Sequence, residues 1–144
     1  MRVLVIALAV LALAVATLAT KEENAADLRA QAQAAPVDHQ PDLYLRAAKL
    51  QLKTADGLYT EGKVDEAKAA LDLLSSDSDK ATDAAVRSRK HLKNTEIEIR
   101  KMSERLHDMK GTLNFEDQAP VQAVVDHLES LRTNLLNHMF GKGK

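Results

Sequence analysis

Four groupings in this sequence have residue types and spacings that chemistry uses. Gly57-Leu58-Tyr59-Thr60-Glu61-Gly62-Lys63 matches the G-x4-G-K opening of a phosphate-cradling loop. Such a loop needs Ser or Thr next, to hold magnesium, and it must join a strand to a helix. Here Val64 follows, and Leu58 and Tyr59 fall on an apolar helical stripe, so the two glycines read as a helix-to-helix turn. Glu104-x-x-His107 is the ligand pair of di-iron helical bundles, but those sites need a second pair and two further Glu, all facing inward. Leu106 lies on the apolar stripe, which turns Glu104 and His107 outward. His127 and His138 could share a face of one helix, with Met102 or Met109 as an axial haem partner; a lone His and a core Met are more economically read as packing residues. Asp77-Ser78-Asp79 and Asp83 lack the Gly and the bidentate Glu of a calcium loop and read as solvated helix surface. No Ser/His/Asp, Cys/His or buried carboxylate pair can be assembled. The expectation is a protein that is not an enzyme and uses no metal or cofactor.

Charge is the remaining lead. The chain has 144 residues, 20 basic and 21 acidic side chains, no Cys, no Trp, and two each of Tyr and Phe. Without thiols there is no disulfide scaffold, structural Cys-zinc site or c-type haem attachment. A net charge of −1 gives no global pull toward nucleic acid, and the scarcity of aromatics argues against base stacking. The distribution is uneven: residues 87–110 hold 8 basic and 4 acidic side chains, whereas residues 20–86 hold 8 and 13. Arg87, Arg89, Lys90 and Lys93, together with Ala85 and Ser88, form the candidate partner-binding face, and an acidic partner is the chemistry it suits.

The elements that position these residues are helices, as three Pro, five Gly and abundant Ala, Leu, Lys, Asp and Glu imply. Residues 1–19 stand apart: Met1-Arg2 is followed by an uncharged run from Val3 to Ala19 with small residues at Ala14, Ala16, Thr17 and Ala19. This reads as a signal peptide, cleaved before folding, with an uncleaved anchor as the rival. Export makes the periplasm or the medium the expected location, with no membrane association after cleavage. Residues 20–41, opened by the capping box Thr20-x-x-Glu23 and broken by Pro36 and Pro41, read as a mobile, partly helical arm with little to bury.

The helical domain is expected over 42–140, followed by a disordered tail over 141–144. Leu45, Ala48, Leu52, Ala55 and Tyr59 make one stripe on a first helix starting at Asp42. Steps of three and four then run without a slip from Val64 through Ala67, Leu71, Leu74, Ser78, Ala81, Ala85, Ser88, Leu92, Thr95, Ile99, Met102, Leu106 and Met109 to Leu113. An unbroken phase predicts one helix from Val64 to Lys110, roughly 70 Å long. A last helix is expected near Pro120, with Asp117 as cap, ending at Gly141. The predicted fold is all-α: two antiparallel hairpins sharing one long central helix, its waist left bare. The alternative is a four-helix bundle broken at Ser75–Asp79, where short polar side chains compete for backbone hydrogen bonds.

Ala55, Leu58, Gly62, Val64, Glu66, Ala67 and Leu71 also resemble a single tetratricopeptide repeat, over about a quarter of the chain past residue 19. Leu74 and Asp79 stand where that repeat has a small Ala and a Pro. The resemblance implies a packed helical hairpin; arrays need about three copies, and no second copy of the motif follows. The chain as a whole is similar to small exported helical proteins of Gram-negative bacteria. The functional expectation is an exported helical module that binds a protein partner or a second copy of itself, with no small-molecule substrate inferred. Competing readings are a periplasmic helical chaperone, weakened by the lack of a Leu-Thr-x-x-Gln repeat, and a haem or metal binder through His127 and His138.

Overall fold

A computed structural model describes residues 23–141; the expected signal peptide and most of the tail lie outside the described residues. The described residues are all-α: α1 (Ala25–Ala34), α2 (Gln40–Thr60), α3 (Val64–Ser88), α4 (Leu92–Gly111) and α5 (Phe115–Phe140). Asn24 caps α1, its side-chain oxygen accepting from the Asp27 amide. Leu28 and Ala32, one turn apart, are fully buried, so the segment read as an arm with little to bury is a packed helix. Arg29 pins it: Nε and Nη2 donate to the two carboxylate oxygens of Asp77 on α3 at 2.6 and 2.8 Å. Asp77 is therefore wholly buried and paired, where the sequence reading made it solvated surface.

Pro41 sits in the first turn of α2, where its missing N–H costs nothing. The α2 stripe is buried as expected, and α2 and α3 share the most extensive interface in the molecule. Gly62 turns the chain between them at φ +75°, a backbone that residues with a Cβ adopt at a cost. Helix α3 runs unbroken through Ser75–Asp79, so the chain does not break there.

Nor is there one helix from Val64 to Lys110. The chain leaves the helix after Ser88, turns through Arg89, Lys90 and His91, and starts α4 at Leu92. Arg89 (φ 55°) and His91 (φ 63°) both take the left-handed conformation, and reversal follows within three residues. The long-rod reading failed because Ser88 and Leu92 are four apart. The reversal swallows one helical step without shifting the count.

Helices α4 and α5 form a second antiparallel hairpin of the same length as the first. Asn114 precedes α5, which begins at Phe115 rather than near Pro120; Pro120 lies inside the helix. The hairpins stack side by side with α2 parallel to α4: Asp42 meets Asn94, Lys49 meets Glu98 and Asp56 meets Arg105, in order along both helices. Asp79 of α3 meets His127 of α5 in the other layer. Between the layers lies one core, in which Leu45, Leu71, Leu74, Ile99, Leu106, Leu128 and Leu135 are essentially inaccessible. Burying each such side chain contributes about 1.5–3 kcal/mol. No bare waist exists.

Candidate functional site

Because the chain folds back at Arg89–His91, the cationic segment becomes the end of a bundle. Ser88 builds the turn. Its hydroxyl donates to the Ala84 carbonyl at 2.7 Å and accepts from the Lys90 amide at 3.2 Å, closing the end of α3. Ala85 is fully buried and Ser88 half-buried, so these two predicted partner contacts are structural instead. Arg87, Arg89, Lys90 and Lys93 are exposed, as is His91.

The four cations differ in their ties. Arg87 donates to Asp83 one turn back at 2.8 Å. Lys90 reaches Asp38, in the α1–α2 connection, at 3.3 Å, and its hydrogen bond holds the Asp38 carboxyl below the usual carboxylate range. Arg89 and Lys93 have no carboxylate partner among the described residues.

The α4–α5 register adds an aromatic to this end. Glu96 pairs with Arg132 at 2.6 Å, Ser103 with Glu129 at 2.8 Å, and Lys110 with Gln122. Continuing that antiparallel register brings Phe140 level with Ser88–Leu92. Phe140 is 77% exposed; Phe115, at the opposite end of α5, is exposed too, and Phe140 is the one that falls level with the cationic turn. No signal in the sequence marked it, because its importance comes from the register alone.

A second feature is a furrow along the parallel pair α2 and α4. Its central cavity, about 390 Å³, is lined by Lys49, Leu52, Lys53, Glu98, Lys101, Met102 and Arg105. Leu52 and Met102 are buried and form its floor. Toward one end the furrow passes Asp42 and Asn94; toward the other it passes Asp56, Asp108 and Met109. Glu98 holds both Lys49 and Lys101, and these bonds, Lys49 first, lower its carboxyl below the usual range against the opposing effect of burial. Each helix contributes cations at i and i+4, a pattern visible in the sequence, but only the parallel pairing of α2 with α4 makes one site of them.

No known protein family, curated protein or solved structure matches this chain.

The other sequence candidates stay apart. Glu104 and His107 are exposed on α4. His127 Nε2 lies 2.6 Å from Asp79 Oδ1, tying α3 to α5, while Met102 faces the α2–α4 furrow in the other layer and His138 is exposed. The imidazoles and the methionines do not converge. Among the described residues no cluster of three or more His, Asp or Glu has metal-ligand geometry, and no described helix is long and apolar enough to cross a membrane.

Proposed function

We propose that this chain is an exported, non-enzymatic interaction module that docks an acidic protein partner, a second copy included, on the end of its bundle. One observation carries the reading: the reversal at Arg89–His91 gathers Arg87, Arg89, Lys90 and Lys93 on one end, level with an exposed Phe140. Two of those cations lack an internal counter-charge, so an incoming carboxylate need not displace an existing pair. The aromatic offers a contact of the kind that anchors interfaces, where large planar side chains add buried area at little entropic cost. Exposed charge contacts of this kind steer encounter and set specificity more than they set affinity.

The test uses fluorescent poly-L-glutamate as the acidic probe, titrated with the full chain and read by anisotropy. Binding is expected at low ionic strength and is expected to weaken steeply above about 0.1 M salt, where the Debye length falls to about 10 Å. The variant with Arg87, Arg89, Lys90 and Lys93 all changed to Glu should lose it. Light scattering in parallel identifies a second copy as the partner if a salt-sensitive dimer vanishes in the same variant. Equal probe affinity in wild type and variant overturns the assignment.

A further inference from the structure

We infer that the central cavity of the α2–α4 furrow is a binding site for a compact amphiphilic anion, a single carboxylate or sulfonate head on a short apolar body. The site is separate from the cationic end and does not depend on it. Its floor, Leu52 and Met102, is apolar and buried at 4% and 2% exposure, so a ligand's apolar body meets a surface already drawn from the core. Its rim carries Lys49 and Lys53 from α2, and Lys101 and Arg105 from α4.

The ties among those groups decide which of them can take a ligand. Glu98 occupies Lys49 and Lys101. Lys53 has no carboxylate partner among the described residues, and the nearest carboxylate to Arg105 is Asp56 at 4.0 Å, the outer limit of an ion pair. One wall therefore carries an unpaired Lys53 and the other an Arg105 held only by that long contact, with the apolar floor between them. A ligand with a single anionic head satisfies both at once: Arg105 can donate a forked pair of hydrogen bonds and Lys53 supplies a point charge.

The charge along the furrow limits the length of the occupant. Asp56 and Asp108 lie toward one end, whereas toward the other Asp42 is accompanied by Arg46, so cations outnumber carboxylates most clearly at the centre. An acidic polymer laid along the whole furrow would meet like charge at the Asp56–Asp108 end. A ligand confined to the centre meets four cations, the floor, and one carboxylate, Glu98, which Lys49 and Lys101 already engage. A volume of about 390 Å³ suits a small molecule, in the lower part of the range for ligand pockets.

Isothermal titration of the full chain with decanoate tests the assignment, with decanol and decyltrimethylammonium as neutral and cationic controls. One decanoate per chain is expected to bind, decanol at least about tenfold more weakly, and the cation not at all. Lys53→Gln with Arg105→Gln should weaken decanoate about tenfold or more while leaving decanol unchanged; both side chains are exposed, so helicity by circular dichroism should not move. Lys90→Gln, at the bundle end, should bind decanoate as the wild type does. No decanoate binding at millimolar concentration, equal binding of decanoate and decanol, or equal decanoate affinity in wild type and the double variant overturns the inference.

Discussion

Replacing Arg89 and His91 together by Gly should stabilise the protein. Both residues hold left-handed backbone, at φ 55° and 63°. For a residue with a Cβ that conformation costs about 1–2 kcal/mol. Gly relieves the cost, and returns about 0.5–1 kcal/mol of it through the greater freedom of its unfolded chain. The two side chains are exposed and bridge no carboxylate among the described residues, so little else is lost. The net gain is about 1 kcal/mol for the pair. Urea denaturation followed by circular dichroism should show the midpoint rising by roughly half a molar with an unchanged slope, given slopes of about 1–3 kcal/mol per molar. The sign is what discriminates. Were these residues inside a continuous helix, each Gly would cost up to about 1 kcal/mol relative to a good helix former. A double variant destabilised by 1 kcal/mol or more, on the order of that helix-interior penalty, would refute the turn.

Three further outcomes follow from the same structure. Asp77→Ala leaves the Arg29 guanidinium partly buried without its partner; stability should fall by about 3 kcal/mol, and native-state hydrogen exchange should show α1 released. Thr95→Val removes a buried hydroxyl that has no partner among the described residues and keeps the side chain's shape; the urea midpoint should rise by the equivalent of about 1 kcal/mol. Glu98 has its carboxyl pKa lowered by Lys49, so its contribution to stability is complete above the ordinary carboxylate range and is lost as pH falls through the lowered value. Glu98→Gln should therefore flatten the acid limb of the stability profile, and an identical acid limb in both proteins would remove Glu98 from the account.

The contrast between the legible and the hidden parts of this fold is physical. Period-3.6 patterning identified which faces are buried: Ala67, Leu71, Leu74, Ala81 and Ala85 on α3, and Thr95, Ile99, Met102, Leu106 and Met109 on α4, are all in the core. It could not reveal direction, because a three-residue reversal that carries the stripe four positions from Ser88 to Leu92 keeps the phase. The usual markers of a reversal are Gly, Asn and Pro, and here Arg and His do their work through Ser88 and a left-handed backbone. Arg29 with Asp77, and Lys53 with Arg105, were equally hidden. Lys53 and Arg105 share a furrow only because of that reversal, and Arg29 meets Asp77 only because α1 packs as a helix against the α2–α3 hairpin. The cationic segment was legible as composition, its place at the bundle end was not, and Phe140 joined it only through the α4–α5 register.

Placing the four cations on one end rests on the chain doubling back at Arg89–His91, and a spin-label distance measures this directly. The sequence has no Cys, so Lys68→Cys with Glu104→Cys gives one labelled pair on exposed positions of α3 and α4. In the folded-back bundle, with neighbouring helix axes about 8–10 Å apart, the distribution should centre below about 30 Å. A single helix through both positions would place them about 54 Å apart at 1.5 Å per residue. A peak near that longer distance would contradict the account.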